Sequence, residues 1–322
     1  MNEIITQNYL ATQKPLYEVI EDFVSLKRSI HTQRAYKSDL HLFFNALDIV
    51  LLEELGQIPF AHLIKLLQEH FSNTQQIESE EDRFRILNPR TVNRKTNALR
   101  SFFKYLISVY RYPQNPLDQF PNLKTKKFSS TQSLTRGEVI DLLQVFKEKH
   151  RLRQIDFRNY LIALFLFSLA LRVNECTGLK WDDLDTTQQQ VNVYQKGGGY
   201  KLLPLPHPIC VLLQEYKERY INDDAIYVFS PTRNNSHRDI LKPISTTAIF
   251  KMIVTTALRI VPEKNITPHS LRKTFIELSL DNNEDLISIA NATGHASIEM
   301  IKYYDTRDKL KNNAVNGLVS LI

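Results

Sequence analysis

Val191-Asn192-Val193-Tyr194-Gln195-Lys196-Gly197-Gly198-Gly199-Tyr200-Lys201-Leu202-Leu203-Pro204-Leu205, residues 191–205, is the stretch on which the fold class turns. Val191 and Val193 alternate with polar residues, the period of a half-buried strand, and Gly197-Gly198-Gly199 separates them from the return segment Lys201 to Leu205. Glycine accepts the positive φ of a tight reversal, so the segment predicts a β-hairpin. The patterns on either side are helical. Thr135 with Glu138 forms a capping box for a helix to about Lys149, and a second helix is expected from Asp156 to Leu171. Several helices then complete the chain. Residues 134–322 therefore read as an α+β domain with a small sheet, inside a chain that is mainly α.

The first half reads as all-helical. Leu16, Val19, Ile20, Phe23 and Val24 fall at helical spacing, and Tyr36, Leu40, Phe43, Phe44 and Leu47 do so again after a candidate N-cap at Thr32. A third helix is expected over Leu51 to Phe71, then a polar loop from Ser72 to Asp82. The fourth, about Arg90 to Tyr110, separates its faces when residues are placed about 100° apart. Val92, Leu99, Phe102, Phe103, Leu106 and Tyr110 share one side; Arg90, Arg94, Asn97, Ser101 and Lys104 lie opposite. Such a face is either a solvated surface or a helix laid on DNA, with Arg and Lys neutralising phosphates and Arg94 or Asn97 near base edges. From Tyr112 to Ser133, Pro113, Pro116 and Pro121 precede Lys124, Lys126 and Lys127. Residues 112–133 thus read as a basic linker after a helical domain of residues 1–111.

A chain of 322 residues is long for one domain and fits two. Hydrophobic residues at 43% and charged residues at 24% exclude a disordered or fibrous class. The net charge of +6 permits an anionic partner without demanding one. Local charge is more informative: no acidic residue lies between Asp82 and Asp118, a span holding Arg83, Arg85, Arg90, Arg94, Lys95, Arg100, Lys104 and Arg111. Cys176 and Cys210 have neither CxxC nor disulfide-framework spacing, which predicts buried free thiols in a reducing cytoplasm. The apolar run Leu161 to Leu171 is too short to span a bilayer, and no signal peptide is read at the N-terminus, so a cytoplasmic, membrane-free protein is expected.

Breaking a phosphodiester without a metal requires a nucleophile, cations against the non-bridging oxygens, and an acid for the departing 5′ oxygen. Arginine suits the second task because its fork pairs bidentately with phosphate and stays protonated. Tyrosine suits the first, since it can form a covalent phosphoester. His269 and Arg272 follow Thr267-Pro268, a cap and first-turn pair that places both side chains one turn apart on a helix. Alone the spacing is unspecific, for His31/Arg34 and His150/Arg153 repeat it.

The ordered set is specific. Leu171-Arg172-Val173-Asn174-Glu175, Lys196 at the hairpin, His269 with Arg272, Gly294-His295, and Tyr304 nine positions after that histidine resemble the tyrosine recombinase family, which includes phage integrases and Xer-type recombinases. The region Leu16 to Tyr110 is similar to the family's SAM-like core-binding domain, notably over Thr32-Gln33-Arg34-Ala35-Tyr36-Lys37-Ser38-Asp39-Leu40. The resemblance implies a site-specific recombinase that joins DNA through a 3′-phosphotyrosyl bond. In that reading Arg172 and Arg272 clamp the phosphate, Glu175 orients Arg172, and Lys196 protonates the 5′ oxygen. His269 assists proton transfer, His295 bonds the phosphate, and Tyr304 attacks phosphorus. Lys201, across the glycine turn, competes with Lys196, and Tyr303 with Tyr304; position relative to the glycines and spacing from His295 favour Lys196 and Tyr304. Arg34, Lys37, Arg90, Arg94, Asn97 and Lys104 are the expected DNA contacts. The implied partners are duplex DNA with paired half-sites and a homo- or hetero-tetramer, with a second recombinase as one variant; no metal or nucleotide cofactor is expected.

The sequence departs from the family where Ala292-Thr293 precede Gly294, in place of the usual leucine next to glycine, and where Glu299-Met300 replace a common Thr-Thr. Alternatives are a catalytically silent DNA-binding regulator on the same fold, which would not need every catalytic position, and a type IB topoisomerase, which shares the chemistry. A metal-dependent nuclease lacks a compelling carboxylate cluster, and a nucleotide-driven motor lacks its phosphate-binding loop. The apolar end Leu318-Val319-Ser320-Leu321-Ile322 either seals its own core or docks on a neighbouring protomer.

Overall fold

The computed structural model describes residues 13–73, 77–79, 82–85, 89–124, 131–195, 198–232, 241–295 and 297–302. The chain forms two compact units, Met1–Lys127 and Phe128–Ile322. In the first, α1 (Leu16–Ser25), α2 (Ile30–Asn45), α3 (Leu52–Gln57), α4 (Phe60–Asn73) and α5 (Pro89–Tyr110) enclose one core. The apolar stripe of α1 is buried as its periodicity predicts, at Leu16, Val19, Ile20, Phe23 and Val24. Phe102 of α5 lies at its centre, edge-on to Phe23 at 5.3 Å and to Phe44 at 5.5 Å. Burying each such side chain contributes about 1.5–3 kcal/mol.

Four features of this unit differ from the sequence expectation. Helix α2 begins at Ile30 with Ser29 as N-cap, so Thr32 lies inside the first turn rather than before it. The expected third helix is two, because Ile58 precedes Pro59 and is held extended at φ −70°, ψ 121°, the conformation a following proline imposes. The expected loop contains an antiparallel hairpin, β1 (Ile77–Ser79) with β2 (Asp82–Arg85), whose mostly polar sequence gives no alternating signal. Finally, Tyr112, Asn115 and Leu117, expected in the linker, are buried in the helical core. Asn115 Nδ2 donates to the Arg100 carbonyl at 3.0 Å, and Arg100 donates to the carbonyls of Phe120 at 2.5 Å and Leu117 at 3.4 Å. These bonds stitch the proline-rich segment to α5.

The second unit is organised around α7 (Gln154–Ser168), buried on nearly every side by Phe157, Tyr160, Leu161, Ile162, Phe165 and Leu166. Against it pack α6 (Arg136–Lys149), α9 (His207–Tyr220), α10 (Thr246–Ala257) and α11 (Pro268–Asp281), with the short α8 (Val173–Thr177) at its C-terminal end. The capping box of α6 forms as expected: Glu138 accepts from the Thr135 N–H at 2.7 Å, and Thr135 Oγ1 from the Glu138 N–H at 3.3 Å. The hairpin is β4 (Gln190–Tyr194) with β5 (Tyr200–Pro204), Val193 opposite Lys201, and Val191 and Val193 face the core. A two-residue strand, β3 (Leu184–Asp185), extends it to a sheet ordered β3-β4-β5. A smaller core joins α11 to α12 (Leu286–Thr293) and α13 (Ile298–Lys302) through Ile276, Leu280, Ile289 and Ile301. Cys176 and Cys210 are buried free thiols, and burial raises the pKa of each. Among the described residues no helix is long and apolar enough to cross a membrane.

Candidate active site

The site begins where α7 ends. Ala170 adopts φ +48°, a left-handed conformation that costs an L-residue about 1–2 kcal/mol, and its carbonyl accepts from Arg272 Nη1 at 2.5 Å. Two residues on, Arg172 is the N-cap of α8. Glu175, at the third helical position, accepts from the Arg172 backbone N–H at 2.9 Å and from its Nη1 at 2.7 Å. The carboxylate is buried while the arginine side chain remains 35% exposed, so Glu175 fixes the guanidinium without sealing it from a ligand.

Arg272 is held differently. Proline at the first position of α11 opens the helix, and Ser270 Oγ accepts from the Thr267 N–H at 3.0 Å, so the reach-back comes from Ser270. Arg272 is 1% exposed, and its two terminal nitrogens have partners while the buried Nε makes no hydrogen bond among the described residues. Nη1 meets the Ala170 carbonyl; Nη2 meets the Thr293 carbonyl and lies 3.4 Å from His295 Nε2.

Helix α12 supplies the third wall. It ends at Gly294, φ +63°, with the His295 N–H returning to the Ala290 carbonyl at 3.1 Å, the closure of a left-handed helix cap. Glycine suits the left-handed φ there, and a Cβ would also force the side-chain amide of Gln195 to move aside. Arg172 Nη2 donates to the Gly294 carbonyl at 3.4 Å. From β5, part-buried Lys201 donates from Nζ to the Ala292 carbonyl at 2.8 Å.

Crowding of cations sets the electrostatics. Burial pushes the Lys201 pKa down to about 8; Glu175 opposes this, while Arg272 and Arg172 add to it. His295 falls to about 4, through burial first and then Arg272, Arg172, His269 and Lys201. His269 keeps an exposed surface, yet desolvation of the remainder of its ring and the charges of Arg272, Arg172 and Lys273 also lower it. Such a pocket favours an anion and disfavours further protons. Among the described residues no three His, Cys, Asp or Glu side chains converge as metal ligands.

The fold thus brings Arg172, Glu175, His269, Arg272 and His295 together, and adds Lys201, the competing lysine of the hairpin. Lys196, Tyr303, Tyr304 and the C-terminal tail lie outside the described residues. In the sequence Thr293 stands out only as a packing change; the structure puts its hydroxyl 2.7 Å from His295 Nδ1.

In the helical unit the expected DNA contacts divide. Arg34, Arg90 and Lys104 are exposed, and Lys37 is exposed while paired with Glu21. Arg94, in contrast, donates to the buried Asp39 carboxylate, and Asn97 accepts from Arg100 at 2.6 Å. Burial raises the Asp39 pKa against the pull of Arg94 and Lys95. Lys95, absent from either face of the sequence reading, is buried beside them, and burial lowers its pKa.

Comparison with known proteins agrees with this arrangement. The sequence model of the phage integrase family matches residues 132–311, and that of the phage integrase N-terminal SAM-like domain matches residues 21–109. Tyrosine recombinase XerC of Listeria innocua serovar 6a is 27% identical over 88% of this chain and 90% of its own length. Tyrosine recombinase XerD of Listeria monocytogenes serovar 1/2a is 27% identical over 91% of this chain and 95% of its own. Among solved structures, the Tn1549 transposon integrase in complex with transposon right end DNA has a TM-score of 0.66 at 15% identity, covering 96% of this chain and 100% of that one. XerH site-specific recombinase bound to difH substrate has a TM-score of 0.63 at 18% identity, covering 95% and 97%. These two structures share the fold, and the family match extends over more than half of the sequence. The chain belongs to the phage integrase family, the tyrosine recombinases, enzymes that transfer DNA strands.

Proposed function

We propose that the protein is a site-specific recombinase that cleaves and rejoins duplex DNA through a 3′-phosphotyrosyl bond to Tyr304. The observation that carries this reading is the convergence of Arg172, Arg272, His269 and His295 on one pocket, with Glu175 holding Arg172. Arg172 and Arg272 bind the non-bridging oxygens and stabilise the charge that develops as phosphorus becomes pentacoordinate. Tyr304 Oη attacks phosphorus and gives up its proton, the bond to the 5′ oxygen breaks, and that oxygen takes a proton from the hairpin lysine. Rejoining runs the same steps in reverse with a 5′ hydroxyl from the partner duplex, so no energy source is consumed. His269 assists proton transfer. The family resemblance, with its hairpin lysine before the glycines, assigns the acid to Lys196; the placement of Lys201 Nζ near Glu175 and the two arginines gives Lys201 a specific claim to the same role.

Binding to paired half-sites as a tetramer, of this chain alone or with a second recombinase, follows from the family reading, with Arg34, Lys37, Arg90 and Lys104 as the contacts proposed for the helical unit, while Arg94 and Asn97 are engaged by Asp39 and Arg100. The deciding experiment incubates full-length protein with suicide DNA carrying sites from its own genetic neighbourhood, in EDTA, and looks for an SDS-stable adduct. Loss of the adduct in Tyr304→Phe and retention in Tyr303→Phe is the expected result; no adduct despite specific binding overturns the reading in favour of a regulator. Substrates with a 5′-bridging sulfur, whose thiolate leaves without protonation, separate the lysines: activity should return to Lys196→Ala and not to Lys201→Ala.

A further inference from the structure

Three cations of the pocket end on the same short stretch of backbone. Lys201 Nζ donates to the Ala292 carbonyl at 2.8 Å, Arg272 Nη2 to the Thr293 carbonyl, and Arg172 Nη2 to the Gly294 carbonyl at 3.4 Å. They arrive from three different elements, β5, α11 and the start of α8. Helix α12 ends here, at Thr293 with Gly294 as its cap. The last carbonyls of a helix have no partner inside it and form the negative end of its dipole, so one helix terminus gathers all three cationic heads. It does not exhaust them. An ammonium has three donors, and among the described residues Lys201 makes only the bond to Ala292.

Charge counting says what completes the set. Among the described residues Arg172, Arg272 and Lys201 carry three positive charges, Glu175 is the carboxylate set against them, and the excess is two. His269 and His295, both with lowered pKa, add none at neutral pH. A phosphodiester brings one negative charge, and a second appears when an oxyanion adds to phosphorus to give the pentacoordinate species. Two arginines with Glu175 leave an excess of one, which matches the bound diester and falls short of its transition state. The charge of an acid that hands its proton to the departing oxygen is spent in that step, so it cannot make up the difference. We propose that Lys201 is a third phosphate-binding cation of strand transfer, a catalytic residue that turns its remaining donors from the α12 terminus onto a non-bridging oxygen of the scissile phosphate and offsets the charge that attack adds. This rests on the recombinase reading above, and it separates Lys201 from the acid, because a charge-neutralising lysine keeps its proton throughout. Burial lowers the Lys201 pKa only to about 8, so the ammonium is still mostly charged at neutral pH, and an anion beside it favours that form further.

The test removes the charge and keeps the shape. Lys201→Met retains the aliphatic stem that passes beside Gly294, and a urea midpoint checks that the variant folds; Lys201→Gln takes its place if the midpoint falls. On the full-length protein, inorganic phosphate should raise the thermal unfolding midpoint of the wild type above that in chloride of equal ionic strength. Loss of this response in Arg172→Ala locates it in the pocket, and Lys201→Met should lose most of it. On suicide DNA, single-turnover cleavage should slow about 100-fold in Lys201→Met, largely recover in Lys201→Arg, and gain nothing from a 5′-bridging sulfur. A methylphosphonate at the scissile position removes the negative charge of the diester, so there the wild type and Lys201→Met should react at similar rates. A wild type blind to phosphate, a phosphate response or a cleavage rate unchanged in Lys201→Met, or rescue of that variant by the bridging sulfur overturns the proposal. The phosphate arm needs no DNA, so a wild type that binds phosphate through Lys201 and forms no adduct counts against the recombinase reading alone.

Discussion

In the helical unit most cations that the structure places have a partner built to receive them: Arg94 meets Asp39, Arg100 meets the carbonyls of Leu117 and Phe120, and Lys27 meets Ser101. In the catalytic unit Arg172, Arg272, His269, His295 and Lys201 are instead crowded, and like charge lowers the pKa of Lys201, His269 and His295. Both regions are basic in sequence, but the second gathers more like charge into one pocket, the arrangement that favours an anion. A count of lysines and arginines therefore finds a binding surface poorly. Mutual repulsion held in place by carbonyls and one carboxylate finds it well.

The sharpest way to break this contrast is Arg272→Ala. It removes a proposed phosphate ligand, for which a loss of about 100- to 1000-fold or more in cleavage is expected. It also leaves the carbonyls of Ala170 and Thr293 without their buried donor, at about 1–3 kcal/mol each. A suicide-substrate time course and a urea unfolding midpoint should both fall. A variant that loses only activity would show that the arginine is not an internal strut.

A smaller effect separates two cations of α5. Arg94→Ala should destabilise the protein by about 1–3 kcal/mol, since Asp39 stays buried without its guanidinium, whereas Lys104→Ala should leave the urea midpoint unchanged. Lys104→Ala should instead lower DNA affinity across all sequences and reduce the salt slope by about one. Equal behaviour of the two in both assays would erase the distinction between spent and available charge.

Acid titration gives the smallest effect, and His295 and Asp39 contribute with opposite signs. The folded pKa of His295, about 4, lies below its ordinary 6.5, so between these values the unfolded chain binds more protons and stability rises with pH. The His295 contribution is fully present above 6.5 and lost as pH falls to about 4. Asp39, raised by burial, has the reverse linkage: its contribution is present below its ordinary 3.8 and lost as pH rises through the folded value. Urea midpoints from about pH 4 to 7 should therefore fall more steeply toward acid in the wild type than in His295→Asn. Parallel curves would mean that the catalytic pocket is not strained by its own charge.

Much of this was legible in the sequence, for identifiable reasons. The buried face of α1 and the Val191/Val193 strand follow from periodicity, and the capping box at Thr135 and Glu138 from local chemistry. Arg172, Glu175, His269, Arg272 and His295 are found through their order along the chain. The hairpin β1–β2 is not, because its residues scarcely alternate, and β3, two residues long, offers too little pattern to detect. The Arg94–Asp39 pair joins residues 55 apart, and no helical wheel shows a partner on another helix.

The ties that close the catalytic pocket share one more property. Arg272 to Ala170 spans 102 positions, Arg172 to Gly294 spans 122, and Lys201 to Ala292 spans 91. Closing loops of that length costs entropy before any of these bonds can form, so the pocket is assembled from segments that meet late. During refolding, helical circular dichroism should recover first and the ability to capture DNA covalently last, with a chain that is nearly native in shape and still chemically inert in between.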